Sequence, residues 1–382
     1  MKAKSLLLTK KLPFITGVLK TSGSGSLPVE LPLELEIDSA TGLVRQKYSK
    51  LVDKYLKLAY LKGSLLSTPL GKGNFGNRRA GELLAVLLNA LHQPMSRTRF
   101  LEVGCGDGYI LRTLKSIGAK GVVGCEPGNV SDKEINELKI TIIRDFFSAD
   151  LFEQKFDVVF SYGVLEHLQQ PIKSVMEMVE CANAGGLLFA GVPNCERKLR
   201  LGDPGILAHE HWNYFTPFSF KNILSAAGLK NVKVVKGKNG AMLYGWGLKS
   251  SLIQKEQKLY TGYNIRLNKC MAILQSRINR LPGEVNDLGL YGGGTQLKGF
   301  LKFKSEPRLF DGDSAKRGKY YAGFKSAIEP AENLKLKPVK ELWITAVDYD
   351  EEIQAFLKKI KLPRKIKIIS LKKLLKSSGK QQ

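Results

Sequence analysis

The chain of 382 residues carries 60 lysines and arginines against 35 acidic residues, a formal charge of +25, and 43% of it is hydrophobic. That apolar share excludes wholesale disorder, and the length exceeds one core of typical size, so two or three domains are expected. No run approaches the roughly 20 apolar residues of a membrane span, and Lys10 and Lys11 interrupt the apolar start, so no signal peptide is expected. Five cysteines (Cys105, Cys125, Cys181, Cys195, Cys270), an odd number without a C-x-x-C pair, point to a reducing cytoplasm. They argue against a disulfide framework and against cysteine-bound zinc. The charge attracts nucleic acid, phosphorylated small molecules and anionic surfaces alike.

From residue 1 to about 75, short apolar runs such as 31–37 alternate with Gly/Ser-rich pieces such as 21–26. Helical spacing links Leu51, Tyr55, Leu58 and Ala59 as far as Gly63, so this segment reads as α+β. A stronger helix is predicted over 78–91, stopped by Pro94. The runs 100–103, 121–125, 140–143, 156–160 and 186–192 read as buried strands, and helices fill gaps such as 109–117 and 172–184. This alternation predicts an α/β doubly wound parallel sheet. A helix over 217–227 follows, with Thr216 as its N-cap, then a strand at 232–235. A long helix over 252–280 leads to a second α/β unit containing 288–295, 308–311 and 341–346. The expected organisation is an N-terminal segment (1–75), a first α/β domain (76–250), a connecting helix (251–281) and a smaller C-terminal domain (282–382).

The segment Leu101-Glu-Val-Gly-Cys-Gly-Asp-Gly-Tyr109 runs from a strand through Gly104, Gly106 and Gly108 into a helix. Glycines let the backbone turn sharply and approach a ligand that any Cβ excludes. The spacing is one residue shorter than the dinucleotide fingerprint. Glu102 and Asp107 flank it, and carboxylates there repel phosphate and suit a cationic amino-acid ligand. Cys125-Glu126-Pro127 ends the second strand, Arg144-Asp145-Phe146 follows the third, and Ser161-Tyr-Gly-Val-Leu-Glu-His167 follows the fourth. These four features, in this order, resemble the class I S-adenosylmethionine-dependent methyltransferases. The resemblance implies S-adenosyl-L-methionine as cofactor. It implies contacts from Glu102, Gly104, Cys105, Gly106 and Gly108, from Glu126 and Pro127 at the ribose, from Asp145 and Phe146 at the adenine, and from Ser161 and Tyr162. Amino-methylating nucleic-acid enzymes carry a Pro-Pro motif after the fourth strand, and pyrimidine C5 enzymes a Pro-Cys nucleophile. This chain has neither. Nucleic acid is therefore not the expected partner, although O-methylating RNA enzymes escape the test.

The stretch Ala208-His-Glu-His-Trp-Asn-Tyr-Phe-Thr-Pro217 sets two histidines at i and i+2, which share a face if the segment is extended and then suit a metal. No third ligand of matching spacing is evident, so no metal is expected; packing against the next helix is the structural alternative. Three of the four histidines (His167, His209, His211) follow predicted strands on the ligand edge of the sheet, which favours catalysis. The order of methyltransferase core, H-E-H segment, long helix and Gly-rich tail with Asp311, Lys316 and Gly318 resembles sugar C-methyltransferases over about residues 63–369.

That resemblance implies a Rossmann-like C-terminal substrate domain and C-methylation of a keto-sugar nucleotide or related small carbonyl compound. It implies His211 as the base, with Glu210, His167 and Tyr60 in support. A ketone acidifies the adjacent C–H, and a neutral imidazole with a pKa of about 6.5 suits its removal. The family usually opens with a cysteine-rich zinc module; no cysteine precedes Cys105, so the N-terminal segment is expected to be zinc-free. The family often has a tyrosine before H-E-H, where this chain has Ala208, leaving Tyr60 or Tyr162 as the substitute donor. Two alternatives stay open: an RNA or small-molecule O-methyltransferase, and a non-catalytic binding protein on the same scaffold. Residues 100–195 hold 8 basic and 13 acidic side chains, so the positive excess lies outside the cofactor region. Arg197, Lys198 and Arg200 are candidates for holding an acceptor's phosphates.

Overall fold

Residues 30–38 alternate polar and apolar, with Leu31, Leu33 and Leu35 turned inward, and so suit an antiparallel sheet with one face buried. β1 (Leu7–Pro13), β2 (Glu30–Asp38) and β3 (Leu43–Gln46) form it, and helix α1 (Lys50–Leu61) follows. The computed structural model from which these elements are taken describes residues 7–22, 27–61, 70, 73–128, 140–250, 261–279, 281 and 284–377. The predicted helix end at Gly63 lies outside them, as does most of the 21–26 run.

The central sheet comes next. α2 (Gly73–Ala90), β4 (Arg99–Val103), α3 (Tyr109–Ser116), β5 (Gly121–Cys125), β6 (Thr141–Ile143), β7 (Phe156–Tyr162), α4 (Pro171–Glu180) and β8 (Ala182–Pro193) follow in order. α5 (Glu196–Leu201), β9 (Asn213–Tyr214), α6 (Pro217–Ala226), β10 (Leu229–Lys236) and β11 (Met242–Lys249) complete the unit. Seven strands lie in the order β10-β11-β8-β7-β4-β5-β6, and β11 alone runs antiparallel to its neighbours. The sheet's strands are apolar on both faces. α2 and α3 cover one with Leu83, Leu87, Ile110 and Leu114, and α4 and α6 cover the other with Val175, Met178, Phe220 and Leu224. The chain winds outward from β4 in one direction and from β7 in the other, so a crevice opens at their carboxyl ends.

The α/β expectation holds, with two local differences. The helix predicted over 172–184 stops at Glu180, because Ala182 already pairs with Phe156 in the sheet. β11 was not legible, since glycines interrupt its pattern. Gly245 is needed there: a Cβ on it would stand 2.6 Å from Phe220 Cε1, which packs down from α6. Thr216 caps α6 as expected, in a reciprocal capping box with Ser219.

Helix α7 (Thr261–Asn279) falls within the predicted 252–280, whose first part, 252–260, lies outside the described residues. Its Leu267, Met271, Leu274 and Ile278 pack on Leu12, Leu33 and Val44 of the N-terminal sheet. Beyond it, β12 (Leu288–Tyr291), β13 (Arg308–Phe310), β14 (Ile328–Glu329), β15 (Glu341–Ile344) and β16 (Lys367–Ser370) form a parallel sheet in the order β14-β13-β12-β15-β16. α8 (Asp350–Lys359) and α9 (Leu371–Ser377) pack with it. Among the described residues no helix is long and apolar enough to cross a membrane.

Candidate active site

Four strands of the central sheet deliver their carboxyl ends to one edge. After β4 the backbone turns through Gly104 (φ 73°), Gly106 (φ 53°) and Gly108 (φ 73°), all in the left-handed region. A Cβ on Gly104 would stand 2.4 Å from Val164 Cγ2, whereas on Gly106 it would meet nothing within 4 Å. The first glycine is demanded by packing, and the second borders open space. After β5 the Glu126 carboxylate accepts bonds from the Gly106 and Gly128 amides at 3.0 and 2.9 Å, with Pro127 between. After β6 the Asp145 carboxylate accepts from the Phe146 amide at 2.7 Å, the Cys125 thiol donates to the Asp145 carbonyl, and the Phe146 ring stands half exposed.

Glu102, Cys105 and Ser161 are buried behind this rim, and Glu102 Oε2 and Ser161 Oγ have no hydrogen-bond partner among the described residues. Desolvation, reinforced by Asp107 and Glu126, pushes the Glu102 carboxyl well above its usual range. A glycine turn that borders open space at Gly106, the buried Glu102 behind it, the Glu126 carboxylate at its rim and the exposed Phe146 ring fit S-adenosyl-L-methionine.

The second cluster joins two turns far apart in sequence. In the first, Leu165–His167 after β7, Glu166 Oε1 lies 3.8 Å from His167 Nε2. In the second, residues 208–211 form a turn closed by the His211 amide donating to the Ala208 carbonyl at 3.1 Å. Asn213 ties the turns together, its side chain donating to the Leu165 and Leu168 carbonyls at 2.9 and 2.6 Å. The His167 and His211 rings stand 5.1 Å apart. His167 Nδ1 lies 2.7 Å from the Glu210 carbonyl; a carbonyl only accepts, so this nitrogen carries the proton.

The turn corrects one sequence reading. His209 and His211 do not share a face, because the backbone there is not extended. His209 is fully buried toward β2, its Nε2 within 3.0 Å of the Leu31 carbonyl and its ring 5.8 Å from Phe14. It anchors the turn, and the imidazole that joins His211 is His167. The N-terminal sheet does the rest of the holding: β9 pairs with β3, and Gln46 donates to the His209 carbonyl at 3.3 Å.

Burial sets the charges. Desolvation raises Glu166 to about 8 and Glu210 to about 7, and lowers His167 to about 4. His211 is held well below 6.5 by desolvation, His167 and Lys198, so the value assumed from sequence is too high. Both imidazoles are neutral at neutral pH.

Because Glu166 binds its proton more tightly folded than unfolded, its stabilising contribution is complete below the unfolded value and is lost as pH rises through about 8. Glu166→Gln should therefore gain stability over the parent as pH is raised from about 5 to about 8. Thermal melts across that range check it; a constant difference in Tm overturns it.

Sequence reasoning missed Thr16, whose hydroxyl donates to Glu210 Oε1 at 2.6 Å across 194 residues of chain, a separation no local pattern reports. That bond favours the ionised carboxylate. Thr16→Val should move the Glu210 titration upward and cost about 1–3 kcal/mol for the buried acceptor. Fluorescence of buried Trp212, followed against pH, reads the shift; an unmoved midpoint refutes it. Sequence reasoning also missed Arg79 of α2. Its Nε donates to the Tyr162 hydroxyl at 3.0 Å, and its guanidinium lies 5.0 Å over that ring. Tyr60 falls in the last turn of α1, and its side chain lies outside the described residues.

In the C-terminal sheet, Gly292, Gly293 and Gly294 follow β12 in the left-handed region. Asp311 accepts from Tyr321, Lys316 and the Asp313 amide at 2.7, 2.9 and 2.9 Å, so an internal network occupies its carboxylate. Lys198 and Arg197 reach Asp348 at 3.3 and 3.8 Å, while Arg200 is exposed. A cleft of about 160 Å³ lies between Lys198, Gly292, Gly294, Thr345 and Tyr349.

Residues 75–234 match the family described as "Methyltransferase domain". The chain is similar to a tRNA U34 carboxymethyltransferase of Trichlorobacter lovleyi, 35% identical over 107 residues, covering 25% of this chain and 32% of that protein. It is also similar to the mitochondrial ubiquinone biosynthesis O-methyltransferase of Dictyostelium discoideum, 27% identical over 125 residues, covering 28% and 38% respectively. The chain spans about a third of the length of these curated relatives. Among solved structures, the N-methyltransferase NodS of Bradyrhizobium japonicum, in complex with S-adenosyl-L-homocysteine, aligns with TM-score 0.37 and 17% identity, covering 52% of this chain and 99% of that one. The central unit carries this methyltransferase domain over residues 75–234.

Proposed function

We propose that this methyltransferase domain serves carbon methylation next to a ketone, in a small acceptor of the nucleotide-diphosphate keto-sugar class, with His211 as base. The observation that carries the reading is the cluster of half-buried His211 and His167 with buried Glu166 and Glu210, on the same sheet edge as the Gly104 turn. Two neutral imidazoles beside two carboxyls of raised pKa can take, hold and pass one proton without a net charge entering a dry site.

Bound S-adenosyl-L-methionine supplies an electrophilic methyl on a sulfonium. Glu102, Glu126, Asp145 and Phe146 orient it, and Gly106 leaves it room. His211 removes the proton from the carbon beside the carbonyl. His167, fixed in one tautomer by the Glu210 carbonyl, lies against the His211 ring and steadies it. Glu210, held by Thr16, fixes the turn that carries the base. Tyr162, bonded to Arg79, is the phenol placed to donate to the enolate oxygen. An acceptor screen tests this: nucleotide-diphosphate keto-sugars with S-adenosyl-L-methionine, product read by mass spectrometry and by deuterium uptake at the carbon beside the ketone. Methylation confined to oxygen refutes the reading.

A second reading, RNA as acceptor, is favoured by the net charge and by the similarity to a tRNA carboxymethyltransferase. RNA affinity falling steeply with log[salt] and methyl incorporation into RNA support it; absence of both removes it.

A further inference from the structure

The donors around His211 also have the makings of a cation site. One ligand atom each from Glu166, His167 and His211 lie within 4.8 Å of one another. The His167 Nδ1–H bond to the Glu210 carbonyl puts that ring's lone pair on Nε2, the nitrogen 3.8 Å from Glu166 Oε1. A far ring nitrogen donating to a carbonyl is how metal-binding histidines are aimed and made more basic. Glu166 is 3% exposed, and its Oε2 has no hydrogen-bond partner among the described residues. A buried carboxylate oxygen without a partner is costly and calls for an explanation. Two histidine nitrogens and one carboxylate oxygen make the three-ligand set that zinc takes with one position left open.

We propose that Glu166, His167 and His211 bind a divalent transition-metal cation of the zinc class, taking up the same His211 lone pair assigned above to the base. The two uses are then mutually exclusive, and this exclusivity rests on the base assignment, whereas the metal site does not. Entry of the ion displaces the Glu166 proton to solvent. Arg79 acts on Glu166 and Lys198 acts on His211, and both oppose the ion's charge. Glu210, also facing Glu166, offsets part of that.

The test uses the full chain, stripped with a chelator, saturated with S-adenosyl-L-homocysteine, and titrated with Co²⁺ and then Zn²⁺. Expected are one Co²⁺ per chain with a visible d–d band, its displacement by Zn²⁺, and affinity weakened about tenfold or more in both His167→Ala and Glu166→Gln. Calorimetric binding of S-adenosyl-L-homocysteine by each variant reports that it is folded. A missing band, or Co²⁺ bound equally by both folded variants, overturns the site. That outcome leaves the base assignment standing, because the acceptor screen reads it separately.

Discussion

His211→Ala should lower carbon methylation by about 10²–10⁴-fold while calorimetry shows S-adenosyl-L-methionine bound as in the parent. The asymmetry follows from position: His211 stands on the turn after Ala208, held by the N-terminal sheet, whereas the cofactor contacts proposed above come from the ends of β4, β5 and β6. The pH profile carries a second check. A base must be deprotonated to act, so activity is present above its pKa and lost as pH falls through it. Burial, His167 and Lys198 hold His211 well below 6.5, and the acid limb should lie there too. Lys198→Met removes one of the charges pressing the pKa down and should move the limb upward. Undiminished turnover in His211→Ala, or an acid limb above 6.5, refutes the assignment.

Gly104→Ala should damage the cofactor site and the catalytic turn together. An alanine at φ 73° costs roughly 1–2 kcal/mol in backbone strain. Its Cβ would overlap Val164 Cγ2 at 2.4 Å, and relieving that costs about 1–3 kcal/mol more. Val164 stands two residues before Glu166, so whatever yields to the methyl shifts Glu166 and His167 as well. The expected results are a lower Tm and cofactor affinity reduced at least tenfold, about 1.4 kcal/mol. Adding Val164→Ala should recover the overlap and leave the strain. Gly106→Ala offers the contrast: at φ 53° it carries the same backbone strain, but its methyl enters open space, so it should weaken binding and lower Tm by less than Gly104→Ala. Equal cofactor affinity in Gly104→Ala and the parent refutes this account of the turn.

Much of this was legible beforehand because it is written in near neighbours. Apolar runs of four to seven residues became β4, β5, β7 and β8. The spacing of Gly104, Gly106 and Gly108 showed a tight turn before a helix. Where packing overrode local pattern, the reading slipped. β11 hides its strand behind Gly245, a residue chosen for what α6 presses against it. The H-E-H segment reads as extended, yet it turns, and the turn sends its two imidazoles to different places.

By itself the sequence determined the α/β winding, the glycine turn after β4 and the place of the H-E-H segment in the chain. Each depends on spacings within about ten residues, which covalent geometry and hydrophobic period translate directly into shape. Only the tertiary structure decided which side chains meet. It took His209 into the N-terminal interface, set His167 against the Glu210 carbonyl 43 residues away, and brought Thr16 to the Glu210 carboxyl. Burial, which moves the titrations of Glu166, Glu210, His167 and His211, belongs to the packed assembly of both sheets, and no local window of sequence contains it.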